Sequence, residues 1–280
     1  MATVLAPLDA PWALRALPPF PSIAGRIWSL AGEDDFDIDD LIKVAKEDSD
    51  FSAELMRIAN SALFGMCRDV ATPDEAVHLL GSERLKMMAT LVSVTAMVRS
   101  VTRTPALRKI WMHSLVTAII ADEAARIVRL PRESACTAGL LHNVGILGMM
   151  SAYPEGYCRM LEIINRFKYD HMQTESDLFE IDHCAAGAWL VEEWNLRDGL
   201  ASVIASHHEA PVPGEVSAAN LIRVAWRLSD AFGYTCVPSG RLWSWQELMA
   251  FLPNAKGSWL AGSPNAATAE ISKRVTGVGF

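Results

Sequence analysis

Apolar residues recur at helical spacing along almost the whole chain after residue 22, and this periodicity constrains the fold more than any other feature. In the stretch that follows Asp50, for example, Leu55, Ile58 and Ala59 fall on one face of a helix. No segment alternates between apolar and polar residues for long enough to indicate a convincing strand. The pattern therefore predicts an all-α fold.

Residues typical of helix ends divide this pattern into segments. In TPDEAVHLLG, Thr72 is the predicted cap, Pro73 takes the first helical position, Glu75 completes a capping box and Gly81 ends the helix. Further predicted boundaries are an N-cap at Asp50, a helix end at Gly65, a helix start at Thr104 and Pro105, and helices near 132–141, 155–168, 174–194, 198–208 and 217–232. The expected fold is thus a series of helices joined by short turns.

Charge and apolar content limit the classes of partner. A formal net charge of −8 argues against a nucleic-acid partner, because binding to phosphates needs a basic face. No apolar run approaches the roughly 18 residues of a membrane span, and the N-terminus has no basic region followed by an apolar one. The sequence therefore predicts a cytoplasmic protein without a membrane or nucleic-acid partner.

Five cysteines are scattered along the 280 residues and form no C-x-x-C pair. An odd number without close pairs favours reduced thiols over a disulfide framework or a zinc knuckle. This usage agrees with the predicted cytoplasmic location.

Histidines are concentrated in one part of the chain, since six of the seven lie between residues 113 and 208. His113 belongs to the apolar stripe of its predicted helix, so it is expected to be buried. A buried imidazole needs a partner, because an unsatisfied polar group costs roughly 1–3 kcal/mol. Each histidine alone is typical of a satisfied core residue, whereas together with Asp230 they indicate a shared origin as a metal site.

The order of these residues resembles the ligand series of the HD superfamily of metal-dependent phosphohydrolases. The matching positions are His113, His142, Asn143, His183, His207, His208 and Asp230. LPPFPSIAGRIWSL, ANSALFG and DEAVHLLGSERLKMM resemble the N-terminal half of one branch, the HDOD (HD-related output) domains of bacterial signalling proteins. WMHSLVTAIIADEAARI, AGLLHNVGILGM, FEIDHCAAGAWLVEEWNL and IASHHEAP resemble its C-terminal half.

The resemblance implies a two-lobed helical domain with an HD-like bundle in its second half. The expected organisation is an extension at 1–16, an HDOD domain at 17–233, with lobes at 17–100 and 101–233, and a Trp-rich tail at 234–280. We expect the tail to pack a helix back on the domain.

One departure from the family pattern determines the expected activity. Catalytic HD enzymes carry His-Asp where this chain has His142-Asn143. In the cyclic-dinucleotide phosphodiesterase branch a Gly and a Lys follow; this chain keeps the Gly but has Ile146 in place of the Lys. An amide oxygen is neutral, so it neither charges nor bridges metal ions as a carboxylate does. We interpret Asn143 as a helix cap or a partner of His142 in a degenerate site.

These observations predict a non-catalytic regulatory module that acts through contacts with signalling proteins and needs no cofactor. Two alternatives stay open. The first is a metal-dependent phosphohydrolase or phosphodiesterase of nucleotides, in which a weakly bound divalent metal uses the surviving ligands. The second is a sensor that binds a cyclic dinucleotide or similar anion without cleaving it. Its candidate phosphate contacts are Arg99, Arg103, Arg126 and Arg129.

Overall fold

The computed structural model describes residues 10–17, 20–32, 37–61, 70–100 (backbone only for 97–100), 104–196, 199–237, 241–253 and 255–276. Within these residues the chain contains helices and no strand, which confirms the predicted all-α fold. The helices are α1 Ser22–Ala31, α2 Ile38–Lys46, α3 Ser49–Ala59, α4 Pro73–Ser100, α5 Pro105–Val128, α6 Arg132–Leu141, α7 Val144–Ala152, α8 Pro154–Phe167, α9 His171–Phe179, α10 His183–Glu193, α11 Leu200–Ala205, α12 Ala218–Ala231, α13 Trp245–Met249 and α14 Pro264–Val275.

The first lobe consists of α1, α2 and α3 packed on α4. Thr72 caps α4 as predicted, since its hydroxyl accepts from the Glu75 amide at 3.2 Å. The Glu75 carboxylate binds the amide of Ala71 at 2.8 Å, one residue before the position that a capping box requires. Gly81 has φ 71°, so the helix is kinked at the residue predicted to end it.

The second lobe is built around α5, whose long buried face packs on α6 and α12. α7 packs on α10, and α10 packs on α11, so these helices form a second layer beside α5. Thr104 caps α5 through the amide of Leu107, and Pro105 takes its first position, as predicted. Contacts between α4 and α6 join the lobes into one continuous core.

Two predicted helix boundaries were wrong. Asp48 rather than Asp50 caps α3, because the Asp48 carboxylate accepts the amides of Asp50 and Phe51. The single helix predicted over 174–194 is two helices, α9 and α10, which are separated by Glu180 in the left-handed conformation and by the cap Asp182. Gly65, the predicted end of α3, lies outside the described residues.

The C-terminal segment returns to the domain. α14 packs on α5 and α13 packs on α12, which confirms the expectation that the tail packs a helix on the body. Ser258 in this segment donates to the buried Glu123 carboxylate of α5 at 2.6 Å.

One stretch of the described chain, Arg132–Ala152, meets the length and hydropathy of a membrane span. It is divided at His142 and Asn143 into α6 and α7, and 89% of its apolar window is buried inside the protein. These helices therefore form part of the protein core.

Candidate functional site

Six histidines form a continuous cluster in the second lobe. Neighbouring ring centroids are separated by 5.3 Å for His113 and His142, 5.1 Å for His142 and His207, 4.4 Å for His207 and His208, 4.9 Å for His208 and His183, and 5.2 Å for His183 and His171. Five parts of the fold supply these rings: α5, the α6–α7 junction, the start of α9, the start of α10 and the residues just after α11. The histidine residues of the family pattern therefore converge, and His171 extends the cluster.

Two glycines bring α7 and α10 close enough to place the rings together. A Cβ atom on Gly145 would lie 2.0 Å from the backbone oxygen of His183 and 2.7 Å from the amide nitrogen of Gly187. A Cβ on Gly187 would lie 2.8 Å from a side-chain carbon of Ile204. Only glycine allows this approach, so Gly145 helps to fix His183 relative to the α6–α7 junction.

Backbone carbonyls determine which ring nitrogen faces the cavity. The Nδ1 atoms of His113, His142 and His207 lie 2.8, 2.6 and 2.6 Å from the carbonyl oxygens of Tyr234, Gly139 and Ile204. A carbonyl only accepts, so each Nδ1 carries a hydrogen and each Nε2 has a free lone pair in the neutral ring. The Nε2 atoms of His142 and His207 are buried and have no hydrogen-bond partner among the described residues.

His183 is held in a different way, by the buried carboxylate of Glu175. Glu175 Oε2 lies 2.6 Å from His183 Nδ1 and 2.9 Å from its backbone nitrogen, while Oε1 accepts from the Tyr157 hydroxyl and lies 3.2 Å from His171 Nε2. Burial disfavours a charged imidazole, but the Glu175 carboxylate outweighs it and holds the pKa of His183 well above its usual value. Burial alone would raise the pKa of Glu175, but the charge of His183 outweighs burial and lowers the pKa of Glu175 to about 2.

The remaining histidines of the cluster are held neutral. Burial lowers the pKa of His113 and of His171 to about 4. Burial and the charges of neighbouring imidazoles lower the pKa of His142 and His207 well below the usual value, and that of His208 to about 2. The cluster is thus one histidine–carboxylate pair beside several neutral rings with lone pairs.

Asn143 occupies the N-cap position of α7, but its side chain makes no capping hydrogen bond. Asn143 thus caps α7 by its position, as predicted, while its Nδ2 donates to the Cys236 sulfur at 3.7 Å and not to His142. Asp230 lies 3.5 Å from His113 Nδ1, as expected for the last residue of the series. All seven positions of the family pattern therefore meet at one cavity.

This cavity has a volume of about 340 Å³. Besides the histidine cluster and Asn143, its lining includes the carboxylates Asp170 and Asp230, the arginines Arg227 and Arg241, and the aromatic residues Trp226 and Trp243. The guanidinium of Arg227 lies 4.4 Å from the Trp226 ring centroid and that of Arg241 lies 3.9 Å from the Trp243 ring centroid. Cationic, aromatic and imidazole groups thus share one small space.

Two of the four arginines predicted as phosphate contacts, Arg126 and Arg129, do not line this cavity. Arg126 is paired with Glu123 at 2.6 Å, and Arg129 is exposed at the C-cap of α5. Both lie at least 13 residues beyond His113 along α5, which corresponds to about 20 Å of helix. The side chain of Arg99 and the whole of Arg103 fall outside the described residues. Arg126 and Arg129 are therefore not phosphate contacts of this cavity, and their contact with a phosphate elsewhere stays a prediction.

The donor atoms of the cluster fit a metal ion. His183, Cys184, His207 and His208 offer donor atoms that all lie within 4.8 Å of one another, and the orphaned Nε2 of His142 faces the same cavity. Imidazole nitrogen and thiolate suit zinc and other first-row transition metals, and a hydrogen-bonded Nδ1 orients a ligating ring. The set contains few carboxylates, so it offers little negative charge to an ion.

A model of the HDOD domain matches residues 17–210 of this chain, which is more than half of its length. The chain belongs to the HDOD family. A protein of Treponema pallidum (strain Nichols) named only as uncharacterized is 25% identical over 197 residues, which are 70% of this chain and 38% of that protein. The chain thus spans well under half of that relative.

Solved structures of HDOD-type proteins share the fold. The HDOD domain protein of unknown function from Geobacter sulfurreducens superposes with a TM-score of 0.72 at 21% identity, over 91% of each chain. A protein of Shewanella amazonensis SB2B described as a "putative phosphohydrolase" gives a TM-score of 0.68 at 23% identity, over 94% of this chain and 92% of that one. At these identities the similarity establishes the fold alone.

Several residues of the site carried no recognisable signal in the sequence. Glu175 and Tyr157 contact the cluster only through tertiary packing, and Arg227 looks like an ordinary basic residue of an amphipathic helix. Asp182 is the exception, because an aspartate directly before His183 is a typical N-cap and marks the start of α10.

Proposed function

We propose that this HDOD protein is a non-catalytic regulatory module of bacterial signal transduction that acts through contacts with a partner protein. The observation that carries the proposal is the amide at position 143. It stands where the HD pattern has a carboxylate, and its nitrogen faces the sulfur of Cys236. A neutral oxygen donor leaves the site short of the negative charge that a hydrolytic metal centre uses.

The α8–α9 region supports a role in protein contacts. Four large apolar side chains are exposed there, namely Ile163, Phe167, Tyr169 and Leu178. Asp170, His171 and Met172, which follow directly after Tyr169, line the cavity. A change in the cavity therefore reaches the exposed apolar surface within one or two residues of chain, and we assign the partner contact to this surface.

The test of catalysis is direct. The protein is purified without chelators or a metal-affinity tag, analysed for Mn, Fe, Ni and Zn, and assayed on phosphomonoesters and phosphodiesters with each metal added. We expect no turnover above that of His142→Ala. Stoichiometric metal together with turnover that His142→Ala abolishes would overturn the proposal.

The partner contact is tested in cells. In a strain that lacks the gene, the double variant Phe167→Ser, Tyr169→Ser should fail to restore the regulatory phenotype. Leu79→Ser removes an exposed apolar residue from α4, in the first lobe, and should restore it. Equal restoration by both variants, at equal protein level, would contradict the assigned contact surface.

A second candidate is a metal-dependent phosphohydrolase, and one specific observation favours it. Hydrogen bonds hold the Nδ1 atoms of His113, His142 and His207, so that their Nε2 lone pairs are available to a metal. His142 and His207, with His183 and His208, are the residues that would hold it. A bound divalent metal acts as a Lewis acid and lowers the pKa of coordinated water. In this chain Asp230 and Asp170 would be the carboxylates beside it.

A further inference from the structure

Arg227 is a buried cation that forms no direct salt bridge with a described residue, although the Asp230 carboxylate on the same helix attracts it electrostatically. Its side chain is enclosed by protein, with the residue 8% exposed, and its nitrogens donate to the backbone oxygens of Arg223 at 2.8 Å and His208 at 2.9 Å. The neighbouring Arg223 pairs with Glu209, and Arg241 pairs with Glu247 at 3.0 Å. Neutral carbonyls satisfy hydrogen bonds but do not neutralise a buried charge.

The guanidinium is also held rigidly at the cavity wall. It lies 4.4 Å from the Trp226 ring centroid and 5.9 Å from that of Trp243, and both tryptophans line the same cavity. Burial lowers the pKa of Arg227 to about 10, so the group keeps its charge at neutral pH. A fixed, desolvated guanidinium presents its donors in a fork that matches the oxygens of a phosphate or carboxylate.

The same cavity contains lone pairs that need donors. The Nε2 atoms of His142 and His207 are buried without partners among the described residues. Two carboxylates oppose an anion there: Asp170 is exposed and caps α9, while Asp230 lies beside His113. The volume of about 340 Å³ is near the lower end of the range for small-molecule sites. The wall therefore suits one small molecule that carries an anionic group and hydrogen-bond donors.

We propose that the cavity is a receptor site for a small organic oxyanion, whose phosphoryl or carboxylate oxygens bind the guanidinium of Arg227. The inference rests on the proposed function in one respect, since the ligand is bound and released without being cleaved. Binding adds negative charge to the cavity that Arg227 and the start of α9 both line, and so couples the ligand to the assigned partner surface.

Calorimetric titration of the full chain tests this assignment, both as purified and after removal of metal with a chelator. The probes are inorganic phosphate, phenyl phosphate and benzoate. We expect saturable one-site binding in both preparations, weakened about tenfold or more by Arg227→Gln. Arg166→Gln removes an exposed cation from α8 and should leave the affinity unchanged. Preference for the phosphates or for benzoate identifies which oxyanion the site takes.

Two further measurements keep the outcomes distinct. If Arg227→Gln is unfolded by circular dichroism, Arg227→Lys retains the charge without the fork and should bind with intermediate affinity. Undiminished binding in a folded Arg227 variant, or no saturable binding of any probe to the wild type, would overturn the inference. Release of phenol from phenyl phosphate would instead overturn the non-catalytic function and leave the role of Arg227 intact.

Discussion

The carboxylate of Glu175 binds His183 twice, at the ring Nδ1 and at the backbone amide. The first contact sets the orientation and charge of the ring, and the second holds the first residue of α10. One buried acid from α9 thus holds both the backbone of the first residue of α10 and the ring with which that residue enters the histidine cluster.

Glu175→Gln should destabilise the protein by about 2–3 kcal/mol, because it removes the charge that compensates His183 in a buried site. The cost stays moderate since His183 can lose its proton. The pKa of His183 should fall, which an NMR titration of its ring proton measures alongside urea denaturation. Glu162→Gln makes the same chemical change on the exposed face of α8 and should shift stability by less than about 0.5 kcal/mol. Equal effects of the two variants would contradict this account.

Stability should fall as the pH drops from about 6.5 towards 4. His113 has its pKa lowered to about 4 in the fold, so the unfolded chain binds the proton first and acid favours unfolding. This shift alone corresponds to about 3 kcal/mol. His142, His171, His207 and His208 have lowered pKa values and act in the same direction.

The pair of His183 and Glu175 behaves differently with pH. The raised pKa of His183 gives stability that is present at low pH and lost only as the pH rises through that value. The lowered pKa of Glu175 gives stability that is lost as the pH falls from about 4 through about 2. Urea midpoints of chelator-treated protein between pH 7.5 and 4.5 therefore report mainly the neutral rings. His207→Gln should reduce the slope and the exposed His78→Gln should not. Urea midpoints that do not change between pH 7.5 and 4.5 would refute the assignment of these histidines as neutral buried rings.

Asn143→Asp should strengthen the binding of a divalent transition metal by at least about tenfold, because it returns a carboxylate to the position that the HD pattern requires. Without metal, the same substitution should destabilise the protein by about 1–3 kcal/mol, since residue 143 is 3% exposed and the new charge is desolvated. Nickel or manganese titration and thermal denaturation measure the two effects. Asn165→Asp, on the exposed side of α8, is the matched control and should change neither. Unchanged metal affinity in Asn143→Asp would show that the amide is not what weakens the site.

Gly145→Ala should destabilise the protein by about 3 kcal/mol, because the added methyl group meets the backbone of α10 and the helices must separate. Gly156→Ala is the comparison, since nothing lies within 4 Å of its added Cβ in α8. It should stabilise the protein by about 0.5–1 kcal/mol through helix propensity. Denaturation midpoints of the two variants should move in opposite directions. Two changes of the same sign would contradict the close approach of α7 and α10.

The helical pattern predicted the fold because most helices here have one buried face and a recognisable cap. Thr72 and Thr104 were identified as caps since each precedes a proline at the first helical position. Asp48 and Asp50 stand two residues apart, and either could cap α3 by local rules, so packing decides between them. The break between α9 and α10 depends on Glu180 in a left-handed conformation, which few sequence patterns indicate.

The sequence predicted most of the histidines that form the cluster, but it did not predict the hydrogen bonds that orient their rings. Their concentration in one part of the sequence and the resemblance to the HD ligand series indicated that His113, His142, His183, His207 and His208 would meet. Which nitrogen faces the cavity depends on single carbonyls such as Gly139 O and Ile204 O, and these contacts exist only after folding. The same holds for Arg227, whose importance lies in its burial at the cavity wall and in its hydrogen bonds to neutral carbonyls.

Residues 236–243 contribute Cys236, Val237, Arg241 and Trp243 to the cavity wall, yet they lie beyond the part of the chain that the HDOD model matches. Two proteins with the same imidazole core can therefore differ in ligand selectivity by exchanging this terminal stretch alone. In such a division of labour, the helical bundle would supply the imidazole core and its C-terminal border would select the ligand, so that one scaffold could serve distinct chemical inputs.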